Sequence, residues 1–260
     1  MYKHLRFLPA IFAVVLLVVA GSAGRLQTIS AASGTPSPEA PYAPKIDPND
    51  FTNVIDNPYF TLVPGTTFIY EGTEGDEKTR DEVIVTSKTK VVLGVTCVEV
   101  HDRVYSDGEL AEDTRDWFAQ DKAGTVWYFG EATSTLEEGT PTSGEGSWEA
   151  GVDGAQPGII MLADPKVGDT YRQEYYPGHA EDMAEVTAVS GSVDIPYGSF
   201  DDVIVTREFT PLEPDSESNR TYARGVGDVK EESTKGEYEV LELVEVKKAS
   251  AASPEATPST

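Results

Sequence analysis

Length, composition and charge set the first limits. The chain has 260 residues, 39% of them hydrophobic, and a formal net charge of −25 from 45 acidic and 20 basic side chains. A chain this acidic repels nucleic-acid phosphates and bare anionic membranes, so we expect no nucleic-acid partner, and a membrane only through an N-terminal segment. Cationic and neutral ligands stay open, although excess acid also keeps an exported protein in solution.

The N-terminus has the pattern of a signal peptide. Lys3 and Arg6 precede a long apolar run, and small residues up to Ala23 suit cleavage. We therefore predict a signal peptide over residues 1–23 and a secreted or extracytoplasmic mature chain. An uncleaved membrane anchor is the alternative, because the apolar run approaches the length that spans a bilayer.

Segments rich in Pro, Ala and Ser flank the folded region. Residues 24–50 predict a disordered tether and residues 249–260 a disordered tail. The folded part, 51–248, has the size of one domain. Its single cysteine, Cys97, can form no intramolecular disulfide and lies in a Val-rich strand pattern, which favours a buried thiol.

The folded region is a succession of short strand patterns. Apolar residues alternate with polar ones and are separated by turn residues such as Ser106-Asp107-Gly108. Helical periodicity is nearly absent, and we interpret residues 179–188 as a strand rather than a short helix. The pattern predicts an all-β fold with antiparallel pairing.

The densest aromatic patch, DWFAQDKAGTVWYFGE, occupies residues 116–131. Asp121 and Gly124 provide turn chemistry between its two aromatic runs, so we predict a β-hairpin. Strand alternation places Trp127 and Phe129 on one face of this hairpin.

Weak internal similarity recurs at an offset of 103 residues. Gly65 aligns with Gly168, and Glu82-Val83 with Glu185-Val186. We infer a duplication, because several islands keep one register.

The duplication predicts two tandem antiparallel units that form a curved sheet or half-barrel. The first repeat covers residues 51–135 and the second 166–248, with a Gly-rich connecting loop at 136–165. Two separate lobes are the alternative. The connector either packs Trp148 and an apolar Ile-Ile-Met-Leu run under the sheet or forms a lid over a cavity.

No catalytic or cofactor motif is present. The sequence lacks H-x-x-x-H, C-x-x-C, G-x-S-x-G and a phosphate loop, so we predict no metal, no cofactor and no catalytic residue. A carboxylate-dependent extracellular hydrolase is the enzymatic alternative, because paired acids can cleave glycosides. A tethered cell-surface structural protein is a second alternative.

The aromatic residues favour ligand binding. An aromatic-lined cleft suits a hydrophobic or neutral small molecule, or a sugar, whereas a packed core is the structural alternative. The candidate ligand-binding residues are Trp117, Trp127, Phe129, Trp148 and Tyr175.

Three strings carry a resemblance: the aromatic patch, SWEAGVDGAQPGIIM and YRQEYYPGHAEDMAEV. Together they resemble a family of exported bacterial β-rich proteins of unassigned function. That resemblance implies export and a β scaffold and brings no catalytic residues. The duplicated curved sheet is also similar in outline to Lol-type lipoprotein carriers, whose half-barrel wraps around acyl chains; fold alone does not fix function.

Overall fold

The computed structural model describes residues 42–248. The predicted signal peptide and the predicted tail lie outside the described residues, as does the tether up to residue 41. The rest of that predicted tether packs against the sheet. Tyr42 donates its hydroxyl hydrogen to the carbonyl oxygen of Pro157 at 3.0 Å, and Pro48–Asp50 forms a 3₁₀ turn. The ordered region therefore begins before Phe51.

The described chain forms twenty strands, numbered in chain order. The first eight are β1 (Phe51–Thr52), β2 (Ile55–Asn57), β3 (Phe60–Leu62), β4 (Thr67–Glu74), β5 (Glu77–Val92), β6 (Val95–Ser106), β7 (Glu109–Asp121) and β8 (Val126–Glu137). The next five are β9 (Thr140–Ser143), β10 (Trp148–Glu149), β11 (Gln156–Met161), β12 (Thr170–Arg172) and β13 (Glu174–Tyr175). The last seven are β14 (Met183–Ala188), β15 (Val193–Ile195), β16 (Gly198–Phe200), β17 (Val203–Phe209), β18 (Glu217–Ala223), β19 (Gly227–Lys235) and β20 (Glu239–Lys247).

One antiparallel sheet contains both predicted units, which confirms the all-β fold. Its strand order is β12-β14-β17-β18-β19-β20-β4-β5-β6-β7-β8-β11-β13. The two ends of this order, β12 and β13, are separated in the chain by Gln173 alone. The sheet therefore curls until its edges meet, and it forms a nearly closed barrel rather than two lobes.

The aromatic hairpin forms as predicted from β7 and β8. Oδ1 of Asp121 accepts hydrogen bonds from the amides of Ala123 at 2.9 Å and Thr125 at 3.0 Å. Gly124 adopts a φ of +100°, a left-handed conformation that favours glycine. The turn thus fixes the register in which β7 pairs with β8.

The Gly-rich connector is more regular than a loop. It contains β9, β10 and β11, all of which pair with β8. Ile160 and Met161 of its apolar run are fully buried within β11, and Trp148 pairs with Glu131 of β8. This run is therefore a strand of the barrel wall, and neither a lid nor a loose plug.

The hairpins that begin the two predicted repeats share one turn geometry. The amide of Gly65 donates to the carbonyl oxygen of Val85 at 2.8 Å, and that of Gly168 to Val186 at 2.8 Å. Both glycines have positive φ, 86° and 92°. These hydrogen bonds make Val186 the counterpart of Val85, whereas the constant offset of 103 residues pairs Val186 with Val83. The constant offset is therefore wrong within this strand. The duplication itself stays a prediction.

Barrel closure depends on a close backbone approach at Gly158. A Cβ atom at this position would lie 1.9 Å from the carbonyl oxygen of Gln173, where β11 meets β13. Gly158→Ala should therefore lower the free energy of unfolding by at least about 1–3 kcal/mol, because the backbones must separate. Urea denaturation measures the change.

The matched control is Gly144→Ala. A Cβ atom there meets Thr133 O at 3.6 Å, an ordinary contact, so its stability should stay within about 0.5 kcal/mol of the parent. Equal losses in the two variants would contradict the role of Gly158 in closing the barrel.

Candidate functional site

A short hairpin of β2 and β3, residues 55–62, crosses one end of the barrel; we call it the plug hairpin. It contacts β7 through β2 and β19 through β3, strands that lie far apart in the sheet order. Ile55, Phe60 and Leu62 are buried, and the ring of Phe60 lies 5.5 Å from that of Phe118 on β7. Apolar contact therefore seats the plug hairpin against the inner face of the wall.

Polar contacts fix the same hairpin in place. Oε1 of Gln120 accepts the amides of Asp56 at 2.9 Å and Asn57 at 2.8 Å. At the other side, the hydroxyl of Tyr59 donates to Asp202 at 2.7 Å and accepts from Arg224 at 2.7 Å. The plug hairpin is thereby held to two distant parts of the barrel.

A cavity lies between the plug hairpin and the barrel wall. It encloses about 40 Å³, or about 520 Å³ when its mouth and the space around its lining atoms are counted. Its partly exposed lining residues include Thr61, Val83 and Val226. The lining contains five aromatic side chains, Phe60, Phe68, Tyr70, Phe118 and Tyr222. It also contains four charged ones, Asp102, Asp116, Arg220 and Asp228.

Arg220 is the centre of the polar end of the cavity. Only 3% of its side chain is exposed, and its guanidinium donates to Glu208 at 3.0 Å, to Asp228 at 2.6 Å and to Glu231. These acids come from β17 and β19, the strands on either side of β18. Because the guanidinium presents several donors in a fixed plane, one side chain binds three carboxylates.

A second polar cluster lies in the hairpin of β7 and β8. The hydroxyl of Tyr128 contacts Asp116 at 2.8 Å and Glu131 at 2.9 Å. Asp116 pairs with Glu131 just before a bulge in β7–β8, as Arg220 pairs with Glu231 before a bulge in β18–β19. A carboxyl thus faces Glu131 in the β7–β8 hairpin, whereas a guanidinium faces Glu231 in the β18–β19 hairpin.

Burial controls the protonation of these interior acids. It raises the pKa of Asp102 to about 6, while Asp81 and Arg220 oppose the rise. It also raises the pKa of Asp228 to about 7, again against Arg220. For Asp116 burial and the nearby Asp102 raise the pKa well above its ordinary range. Asp102 and Asp228 are therefore neutral at acid pH and gain charge near neutrality, whereas burial favours the neutral form of Asp116.

The predicted ligand-binding residues lie outside the cavity lining. Trp127 and Phe129 share one face, as predicted, and Phe51 covers both with ring centroids at 6.4 and 5.6 Å. Trp117 is buried under Lys90, whose Nζ lies 3.3 Å from the ring centroid. Trp127 and Phe129 therefore pack under the N-terminal segment, whereas Trp117 packs under a side chain of β5.

The remaining two predicted residues lie elsewhere. Trp148 contacts Tyr128 edge-on, with centroids 5.3 Å apart, and so reaches the second polar cluster. Tyr175 packs edge-on against Tyr42 at 5.2 Å and lies 4.7 Å from the guanidinium carbon of Arg172. The structure therefore does not bring the five together, and their role in binding stays a prediction.

Sequence reasoning missed the charged residues of the interior. Asp102 alternates with Val100 and Val104, and Arg220 with Tyr222, so their inward direction was readable from strand alternation. The signal that could have found them is a charged side chain at the apolar position of a strand.

Two features are absent from the part of the chain that the structure describes. In residues 42–248 no three His, Cys, Asp or Glu side chains are grouped so as to hold a metal ion. The same residues contain no helix with the length and apolar character needed to cross a membrane.

Comparison with known proteins finds similar structures only. No family model and no curated protein matches the chain. A protein of Bacteroides fragilis NCTC 9343, provisionally described as exported and with a YMCC-like fold, is 15% identical, with a TM-score of 0.44 over 73% of this chain and 99% of that one. A protein of Parabacteroides distasonis ATCC 8503, provisionally described as a lipoprotein, is 12% identical, with a TM-score of 0.38 over 73% and 98%. Both TM-scores are below 0.5, so we draw no conclusion about function or location from either, and the likeness to Lol-type carriers stays a prediction.

Proposed function

We propose that this protein is an exported, non-enzymatic binding protein whose ligand is a compact, largely apolar small molecule held in the cavity beneath the plug hairpin. The observation that carries the proposal is the cavity itself, in which aromatic walls meet a small set of convergent polar groups. That combination is typical of ligand sites. A packed core would instead fill the space, since interiors leave few voids larger than a water molecule.

The size of the cavity favours binding over hydrolysis. A volume of about 40 Å³ has room for about three water-sized groups. A glycoside hydrolase must surround a sugar ring and its leaving group with two carboxyl groups, and this space is too small for that. We therefore prefer a binding protein to the carboxylate-dependent hydrolase.

Filling the cavity should abolish binding. Val226 lines it and is partly exposed, so Val226→Phe places a ring in the space that the ligand needs. The parent protein should gain thermal stability with at least one member of a panel of small alcohols, amines, sugars, lipids and Ca²⁺, since a ligand that binds the native state stabilises it. The variant should lose that gain.

Val91→Phe is the matched control, because Val91 is 63% exposed on β5 and outside the cavity lining. It should keep the full response. If no member of the panel raises the melting temperature of the parent protein, or if Val226→Phe responds as the parent does, the proposed site is wrong.

A further inference from the structure

The polar end of the cavity contains a buried carboxyl group, that of Asp102. Asp102 lines the cavity and is only 3% exposed. Within residues 42–248 no N–H group or hydroxyl donates to its Oδ1, and the carboxyl of Asp81 is the neighbour that shares a hydrogen bond with the Asp102 side chain. Unsatisfied buried acceptors are rare, because each costs about 1–3 kcal/mol of desolvation. A donor brought by a ligand would remove this cost.

The charges around Asp102 favour a positively charged donor. Asp228 lines the same cavity, and the guanidinium of Arg220 is already bonded to three carboxylates. Acidic groups therefore outnumber the buried positive charge. The whole chain adds to this field, with a net charge of −25.

The walls of the cavity complete a site for an organic cation. Five aromatic side chains line it, and the face of an aromatic ring attracts ammonium groups while its surface accepts alkyl chains. A metal ion fits less well, because the described residues contain no metal-holding group of three His, Cys, Asp or Glu.

We propose that the ligand carries a compact ammonium group, bound by the carboxylate of Asp102, with its alkyl part held between the aromatic side chains. The chemical class is a small primary alkylamine. This inference rests on the proposed function, since it names the ligand class of the same cavity. Ethylammonium, with three non-hydrogen atoms, matches a space for about three water-sized groups.

The first experiment compares three small probes on the full chain by isothermal titration calorimetry at pH 8. Ethylammonium chloride is the predicted cation, ethanol is a neutral molecule of the same shape, and sodium acetate is an anion of similar size. Ethylammonium should bind at least tenfold more tightly than ethanol, and acetate should not bind. Equal binding of ethanol and ethylammonium would overturn the ammonium assignment and leave the proposed function intact. Binding of neither would count against both.

The second experiment removes the counter-ion. Asp102→Asn keeps the shape of the side chain, and it should lower the affinity for ethylammonium at least tenfold without changing that for ethanol. The matched control is Asp164→Asn, whose side chain is 83% exposed and lies outside the cavity lining. Parent-like ethylammonium binding by Asp102→Asn would overturn the role of Asp102.

A pH series tests the same site without any substitution. The titratable and charged groups that act on Asp102 are Tyr70 on β4, Asp81 on β5, Glu112, Asp113 and Asp116 on β7, and Arg220 on β18. Burial raises the pKa of Asp102 to about 6, so the cation must displace a proton at lower pH. Affinity for ethylammonium should rise at least threefold from pH 5 to pH 8, while that for ethanol stays constant. A flat ethylammonium profile would contradict the proposal.

Discussion

Replacing Arg220 by Met should lower the free energy of unfolding by about 3–5 kcal/mol, the cost of breaking a buried ion pair by removing one partner. The guanidinium is 3% exposed and bonded to Glu208, Asp228 and Glu231. Met fills much of the same volume but leaves three carboxyl groups facing one another without a cation. Urea denaturation at pH 7.5 measures the loss.

Arg224→Met is the matched control, because Arg224 and its partner Asp202 are both 52% exposed. Water replaces that contact, so the stability of this variant should change far less. The deficit of Arg220→Met should also shrink at pH 5, because burial raises the pKa of Asp228 to about 7 and a protonated Asp228 needs no counter-ion. Equal losses in the two variants, or a deficit that grows at pH 5, would contradict the central role of Arg220.

Local chemistry explains why much of the fold could be predicted. The hairpin of β7 and β8 follows from alternating residues on either side of Asp121 and Gly124, whose side-chain hydrogen bonds and positive φ are local properties. The buried state of Cys97 likewise follows from its place in a Val-rich strand. Closure of the barrel could not be predicted, because it depends on the pairing of β11 with β13, which are short and have weak patterns.

The candidate site could not be predicted, because its residues become neighbours only in the barrel. Aromatic residues at strand positions predict an aromatic-lined cleft, with Trp117, Trp127 and Phe129 among its candidates. The structure places these three residues on a face that other elements cover, whereas Asp102 and Arg220 lie in the interior. A charged residue in a strand usually faces water. Composition therefore does not predict its burial when the partners that stabilise it come from distant strands.

The acids of the interior predict an unusual dependence of stability on pH: the free energy of unfolding should fall as the pH rises from about 5 to about 9. Burial raises the pKa of Glu112 from 4.5 to about 8, of Glu239 to about 9 and of Asp182 to about 7. The folded state therefore binds more protons than the unfolded state in this range. Stability is fully present below the unfolded pKa values, near 4, and is lost as the pH passes through the folded ones.

Glu112 alone gives the scale of the effect. Each tenfold change in proton affinity corresponds to about 1.4 kcal/mol. The rise in the pKa of Glu112 therefore changes the free energy of unfolding by roughly 4–5 kcal/mol at most. Urea denaturation at five pH values from 5 to 9 measures the slope. Glu112→Gln removes one titrating group without changing the shape of the side chain and should flatten the profile, whereas Glu109→Gln, exposed on the same strand, should keep it. Both variants lose one negative charge, so general repulsion within this acidic chain cannot explain a difference between them. A parent protein that is more stable at pH 8 than at pH 5 would contradict this prediction. It would show that the interior acids are ionised in the folded state, and that Arg220 compensates the charge of more than its three nearest carboxylates.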